Sequence, residues 1–275
     1  MKRFKKIVLL LTLLVPCGLA LYLLLLIPGV EALAKRNPQT TAFIEARRKE
    51  ALERKKNRDV RQRWRFLSGI SPHLQHAVIV SEDDRFYEHD GFDWEAIKDA
   101  VERDWEEKSF ERGGSTISQQ LAKNLYLTRR KTLLRKAHEA VITWIMEKKL
   151  TKQRILELYL NVAEWGEGIY GAEAAAEYYF DKSAADLTPR EAAFLAAILP
   201  APRYYQNHRE TRYIEKRIDL IGRRMRKRYP ETPLPPEVSP SVIEEAPSTA
   251  EPVENLPSAA PTTLPPPEPA QSEPK

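Results

Sequence analysis

Residues 113–124 of this 275-residue chain read Gly-Gly-Ser-Thr-Ile-Ser-Gln-Gln-Leu-Ala-Lys-Asn. Two glycines open a run of hydroxyl, amide and amine side chains, which is dense in hydrogen-bonding groups for ordinary core sequence. The stretch predicts a helix over residues 116–125, because Ser115 or Thr116 can cap its first turn. It also favours a site for a polar, anionic substrate. It is not a nucleotide-binding P-loop, since the spacing Gly-x-x-x-x-Gly-Lys-Ser/Thr is absent.

The sequence around this stretch predicts a mostly α fold. Capping residues and apolar positions at helical intervals indicate further helices at Ser71-Pro72, Asp93, Thr132, Thr151, 172–179, 189–199 and 213–228. Gly166, Gly168 and Gly171 interrupt the pattern and predict a turn. Few alternating runs are long enough for a substantial sheet.

The N-terminus predicts a membrane anchor. Residues 1–6 are basic, and residues 7–28 are apolar and uncharged, which is long enough to cross a core of roughly 30 Å. The basic residues favour a cytoplasmic N-terminus with the rest of the chain outside the cytoplasm. A cleaved signal peptide is the alternative, because residues 32–34 resemble a cleavage site, but the run exceeds the roughly 7–15 residues of a signal core. The single Cys17 excludes an internal disulfide framework.

Composition divides the remaining chain into three parts. Residues 29–63 are highly charged and predict a stalk or a solvated helix near the headgroups. Residues 64–228 form the predicted globular domain. Residues 229–275 predict a disordered tail, since fourteen of the twenty-one prolines follow residue 229. The eight glutamates and one lysine of that tail give it −7, which leaves +12 on the rest of this +5 chain. A basic body suits headgroups or phosphates, and the anchor makes nucleic acid the least favoured partner.

The first candidate catalytic residue is Glu82, which follows an apolar strip at residues 77–80. A carboxylate beside an apolar wall tends to have a raised pKa, which suits proton transfer. Equally, Glu82 can be a surface acid in a patch with Asp83 and Asp84. His89 is a candidate base or metal ligand, but no partner stands at metal-site spacing, which favours a structural histidine.

A basic group lies around the Gly-Gly-Ser-Thr stretch. Lys123, Lys131, Arg135 and Lys136 together can bind phosphates, and a solvated helix face is the alternative. Glu139 follows Arg135 and Lys136 by four and three residues, so it is the second candidate acid. Taken alone, an exposed helical ion pair is the favoured explanation for it.

Four ordered motifs resemble glycosyltransferase family 51, the peptidoglycan transglycosylases, across residues 37–228. They read Glu82-Asp83-x-x-Phe86-x-x-His89-x-Gly91, the stretch at 113–124, Arg135-Lys136-x-x-Glu139 and Lys152-x-x-Ile155-Leu156-Glu157-x-Tyr159-Leu160-Asn161. Residues 38–43, 63–64 and 162–166 are similar to the monofunctional biosynthetic type. The sequence lacks the Lys-Thr-Gly motif that would indicate the transpeptidase domain of bifunctional relatives. One departure is Ala201, where the family more often has asparagine.

The resemblance implies a lysozyme-like helical domain on the outer face of the cytoplasmic membrane. It implies polymerisation of lipid II into β-1,4-linked glycan with inversion and release of undecaprenyl pyrophosphate. Glu82 is then the general base, and Glu139 assists the leaving group. The implied substrate-binding residues are Asp83, Phe86, His89, Thr116, Gln120, Lys123, Arg135 and Lys136. No cofactor is required, although a divalent cation, Mg²⁺ or Mn²⁺, can accompany the pyrophosphate. Expected partners are lipid II, the growing glycan strand, the membrane and other cell-wall synthesis proteins.

Two rival functions stay open beside this one. A lytic transglycosylase or lysozyme-like hydrolase would share the fold and cleave finished glycan. The basic group argues against it, because cleavage of a glycan needs no grip on pyrophosphate. An inactive membrane-anchored scaffold is the other rival, and the presence of both Glu82 and Glu139 argues against that.

Overall fold

The computed structural model describes residues 29–55, 59–107, 114–128 and 132–230, together with Leu14 and Gly18. Apart from those two positions, the predicted anchor at 7–28 lies outside the described residues, and so does the predicted tail beyond residue 230. Within the ranges that are described, no helix has both the length and the apolar character needed to cross a bilayer.

The mostly α fold class is confirmed. In the described part of the chain the α-helices are α1 (Ala42–Glu53), α2 (Pro72–Glu82), α3 (Trp94–Glu107), α4 (Ile117–Tyr126), α5 (Leu133–Lys149), α6 (Lys152–Val162), α7 (Ala172–Phe180), α8 (Pro189–Ile198), α9 (Pro202–Tyr205) and α10 (Arg212–Arg228). Short 3₁₀ helices occur at Val30–Ala34, Leu67–Gly69 and Ala184–Asp186.

Side-chain caps fix where most of these helices begin. Ser71 accepts a hydrogen bond from the first turn of α2, and Asp93 accepts one from the Ala96 N–H at the start of α3. Thr132 and Thr151 cap α5 and α6 in the same way. Thr116 caps α4 through a capping box. Its hydroxyl accepts a hydrogen bond from the backbone N–H of the residue three positions later, and the side-chain amide oxygen of that residue accepts one from the Thr116 N–H. Each cap stabilises its helix by about 1 kcal/mol, and the five predicted starts are confirmed.

The core lies between two groups of helices. In the first, α2 packs against α8 and α10; in the second, α4 packs against α5 and α6. Helix α6 is buried along its length from Ile155 to Val162, so it carries no solvent face there. Trp165 and Tyr159 are among the largest side chains that are fully buried. This packing brings the end of α2 and the face of α4 together.

The predicted glycine turn lies within a small three-stranded sheet. Strands β2 (Glu164–Gly166) and β3 (Ile169–Tyr170) form an antiparallel hairpin, and β1 (Arg61–Gln62) pairs with β3 in parallel. Gly168 has φ +76°, a conformation that favours glycine. The strands have two or three residues each, so no alternating pattern can reveal them in the sequence.

The segment 29–63, which the sequence predicts to be a charged stalk or a juxtamembrane helix, forms a helix at Ala42–Glu53 and contacts the body at several points. Val30, Leu33 and Ile44 are buried, and Arg47 forms a 3.0 Å ion pair with the buried Glu164. The guanidinium of Arg154 also donates to the Leu33 carbonyl at 2.8 Å. Widely spaced apolar residues therefore hold this charged segment on the body, although its overall composition is typical of a solvated helix.

Asn161, the last residue of the fourth motif, ties that motif to the segment before α2. Its Nδ2 donates to the carbonyls of Arg65 and Glu157, at 2.8 Å each, and its Oδ1 accepts from the Arg65 N–H at 2.8 Å. The side chain is fully buried. It is therefore a structural residue that satisfies backbone groups across the core.

We expect Asn161→Ala to lower the free energy of unfolding by about 2–4 kcal/mol, because buried backbone groups lose their partners. Urea unfolding measures this. The control is Asn207→Ala, at an exposed position, which should change stability by less than about 0.5 kcal/mol. Equal effects of the two substitutions would contradict the assignment.

Candidate active site

Glu82 is the last residue of α2, and its carboxylate is partly buried. The Gln120 amide Nε2 donates to Glu82 Oε2 at 2.9 Å, and the Tyr159 hydroxyl donates to Gln120 Oε1 at 3.0 Å. Burial raises the pKa of Glu82, and the Gln120 hydrogen bond and the charges of Arg217 and Lys123 offset this only in part. A carboxylate with a raised pKa and a neutral hydrogen-bond partner is suited to accept a proton.

Asp83 and His89 hold the first two motifs together. Asp83 Oδ1 lies 2.9 Å from His89 Nε2, and Asp83 Oδ2 accepts from the Ile117 N–H at 2.9 Å. The Gly91 N–H donates to His89 Nδ1 at 3.0 Å, so the ring proton lies on Nε2 and points to Asp83. The Asp83 carboxylate therefore sits at the positive N-terminus of α4, where a negative charge is stabilised.

Two residues predicted to bind substrate are buried in this structure. The Thr116 hydroxyl donates to the Gly91 carbonyl at 2.7 Å and accepts from the Gln119 N–H, and the side chain is 2 % exposed. Phe86 is fully buried, with the Lys152 ammonium 4.6 Å from its ring centroid. In this structure both side chains pack behind the surface of the site.

The third motif forms a charged group around Glu139. Glu139 is 2 % exposed and accepts hydrogen bonds from both Arg135, at 2.6 Å, and Lys136. Lys136 Nζ also lies 3.4 Å from Ser115 Oγ, which connects this group to the second motif. Glu139 thus orients two cations. The exposed-pair explanation does not apply, because the carboxylate is buried.

Lys123 adds a third cation to this region. Burial lowers the pKa of Lys123, and the charges of Glu139 and Glu82 oppose that shift. Within the described ranges no hydrogen bond or ion pair reaches its ammonium group. Of the cations predicted from the sequence, Lys131 alone lies outside the residues that the structure describes.

A cleft of about 830 Å³ joins the first two motifs. Glu82, Asp83 and the segment 114–116 line it, and so does Arg224 of α10. Because Ser115 lines this cleft and also contacts Lys136, the cations of the third motif lie next to the same space. The structure therefore brings the first three motifs to one site.

Sequence reasoning assigned no role to three residues that contact this site. Tyr159 bonds the amide that reaches Glu82. From α10, Arg217 lies 3.4 Å from Ser81 Oγ, and Arg224 donates to the Val80 carbonyl at 3.2 Å. The sequence signalled α10 only as a basic amphipathic helix, because its partner α2 is about 140 residues away in the chain.

Comparison with known proteins identifies the family. The transglycosylase family model matches residues 48–226. The chain belongs to the transglycosylase family. It is 46% identical to the biosynthetic peptidoglycan transglycosylase of Methylobacillus flagellatus, over 72% of this chain and 86% of that protein. It is 47% identical to the protein of the same name from Alcanivorax borkumensis, over 78% and 86% of the two chains. The expectation of a peptidoglycan glycosyltransferase is thereby confirmed.

Gly91 links this transglycosylase's first motif to α5. It has φ +90°, and a Cβ there would lie 2.9 Å from both Thr143 Cγ2 and Glu147 Cγ. Glu147 is itself fixed, because it accepts hydrogen bonds from Ser118 and Lys152. Any larger residue at position 91 must therefore displace packed side chains as well as adopt a strained backbone.

We expect Gly91→Ala to lower the free energy of unfolding by about 2–4 kcal/mol and to reduce activity, since the turn positions His89 and Thr116. Denaturant unfolding and a turnover assay measure both effects. Gly222→Ala is the matched control, because the nearest atom to its added Cβ, Arg226 Nη1, lies at 3.7 Å. In a helix that change should stabilise by about 0.5–1 kcal/mol. A neutral Gly91→Ala would contradict the packing argument.

Proposed function

We propose that this transglycosylase polymerises lipid II into β-1,4-linked glycan and releases undecaprenyl pyrophosphate. The observation that carries the proposal is Glu82, a partly buried carboxylate with a raised pKa that is held by a neutral amide and lines the cleft. The charge of Lys123 acts on Glu82, and Lys136 contacts Ser115 of the same cleft. Such a carboxylate can take a proton, and the cations suit a phosphate leaving group.

In the proposed step, Glu82 accepts the proton of the acceptor 4-hydroxyl. The acceptor oxygen forms a bond to the anomeric carbon of the donor strand, while the bond from that carbon to the pyrophosphate oxygen breaks. One displacement occurs without a covalent glycosyl-enzyme, so the configuration changes from α to β. The pyrophosphate leaves with the bonding electrons, so negative charge builds up on its departing oxygen as the bond breaks.

Lys123, Arg135 and Lys136 stabilise that developing charge in the proposal. Glu139 assists by holding Arg135 and Lys136 in place, as its two hydrogen bonds indicate. These cations are already oriented before the reaction, so they need no rearrangement as the leaving group departs. Charges that are fixed in advance in this way stabilise a transition state most effectively.

Substitution of the proposed base, Glu82, together with assays on two substrates, tests the hydrolase and scaffold alternatives. We expect Glu82→Gln to abolish lipid II polymerisation, by at least about 10³-fold, with thermal unfolding unchanged. The wild-type protein should form polymer from lipid II and release no fragments from finished glycan strands. Retained polymerisation in Glu82→Gln would refute the base assignment, and release of fragments would favour the hydrolase.

A divalent cation is proposed as an optional companion of the pyrophosphate. Glu139 is already bonded to two cations, and among the described residues no group of three His, Cys, Asp or Glu side chains assembles. The pyrophosphate itself would hold such an ion. Lys123, Arg135 and Lys136 then supply most of the positive charge that stabilises the pyrophosphate.

We therefore expect Lys123→Ala to lower kcat by about 10²–10³-fold, and chelation of divalent cations by EDTA to cost much less. Turnover of lipid II with and without EDTA measures both. Lys149→Ala, which removes a cation paired with Glu31 elsewhere on the surface, is the control and should leave kcat unchanged. If EDTA stopped the reaction while Lys123→Ala did not, the metal would carry the charge instead.

The proposal includes location and the absence of transpeptidase activity. Residues 7–28 would anchor the chain once in the cytoplasmic membrane, with the catalytic domain on the periplasmic side, where other cell-wall synthesis proteins can meet it. The sequence has no Lys-Thr-Gly motif, and its one Ser-x-x-Lys match, Ser272 to Lys275, falls in the proline-rich tail. Acyl transfer therefore has no support in the chain.

A further inference from the structure

Tyr159 is fully buried on α6 and has no assigned role in the reaction. Its hydroxyl donates to Gln120 Oε1 at 3.0 Å, and Gln120 Nε2 donates to Glu82 Oε2 at 2.9 Å. One hydrogen-bonded chain thus crosses from α6 through α4 to the end of α2. Within the described residues, the Gln120 carbonyl is the sole acceptor for the Tyr159 hydroxyl.

We propose that Tyr159 is a positioning residue, whose hydroxyl fixes the orientation of the Gln120 amide and thereby the hydrogen bond that reaches Glu82. The inference rests on the proposed role of Glu82 as general base. Tyr159 acts through Gln120 and touches neither substrate nor the reacting atoms.

The orientation of a carboxamide is set by its partners, because its oxygen and nitrogen ends have nearly the same shape. With Tyr159 donating to the oxygen, Gln120 presents its NH₂ group to Glu82, and this favours the ionised carboxylate. If the amide turned over, its oxygen would face Glu82 and favour the protonated acid. The buried Tyr159 proton would then have no acceptor, which opposes that turn.

Tyr159 keeps this role across the working pH range. Burial raises the pKa of Tyr159 well above that of an ordinary tyrosine, so its hydroxyl stays protonated. The other groups that face Glu82 are Ser81 on the same helix, the cations Lys123 of α4 and Arg217 of α10, and the neighbouring Asp83. Among the described hydrogen bonds, none of these groups contacts the Gln120 carbonyl, so Tyr159 is the group that orients the amide there.

The test is Tyr159→Phe, which removes the hydroxyl and keeps the ring. Glu82 acts deprotonated, and losing the preferred amide orientation raises its pKa further, so less of the base is ionised at a given pH. We expect the acid limb of the kcat/KM profile for lipid II to move to higher pH. On that limb kcat/KM should fall about three- to tenfold, with the high-pH plateau retained.

Tyr179→Phe is the matched control. Its buried hydroxyl donates to the Trp165 carbonyl at 2.7 Å, away from Glu82, so that variant should lose similar stability but keep the wild-type acid limb. Gln120→Met removes the middle of the chain and should shift the limb at least as far as Tyr159→Phe. The double variant should shift it no further than Gln120→Met, because both changes break one pathway.

An unshifted acid limb in Tyr159→Phe, an equal shift in Tyr179→Phe, or additive shifts in the double variant would overturn the inference. If Tyr159→Phe does not fold, an unshifted acid limb in Gln120→Met is sufficient by itself to overturn the inference. Loss of the base assignment is recognised separately, since Glu82→Gln would then stay active. An inactive Glu82→Gln beside an unshifted Tyr159→Phe would refute only the role of Tyr159.

Discussion

The proposed reaction depends on keeping two carboxylates in different surroundings. Burial favours the protonated form of Glu82 and raises its pKa, and the hydrogen bond from the neutral Gln120 amide offsets this only in part. Glu139 is also buried but is bonded to two cations, Arg135 and Lys136. Environments that differ in this way give two acids of one type two different tasks. In the proposed reaction one accepts a proton and the other holds positive charge against the leaving group.

The rest of the fold serves to hold these surroundings in place. Asp83, next to Glu82, caps α4 through the Ile117 N–H and bonds His89, so the first motif cannot shift without moving the second. Behind them, Gly91 is packed against α5, and Glu147 of that helix bonds Ser118 of α4. Each motif therefore positions the others. A change in this buried layer would alter Glu82 without touching substrate.

Much of this was predictable where the determining interactions are local. Helix starts followed from hydroxyl caps such as Thr132 and Thr151, because a cap bonds backbone only three residues away. The candidate acids followed from motif order. Burial is set by distant parts of the chain, so the sequence could not show that Thr116 and Phe86 face inward or that Ile44 holds the charged segment on the body. The contacts of Tyr159 and Arg217 with the site were hidden for the same reason.

In the proposed reaction, the cations favour transfer from a charged leaving group over cleavage of a neutral glycan. Burial disfavours the charged form of Lys123 and lowers its pKa, and Glu139 is already shared by Arg135 and Lys136. A bound pyrophosphate would relieve that cost, because it brings negative charge to Lys123, Arg135 and Lys136. The gain increases as the bond to the anomeric carbon breaks and negative charge collects on the departing oxygen. A glycan leaving group gathers no comparable charge once it is protonated, so the same cations would contribute little to hydrolysis.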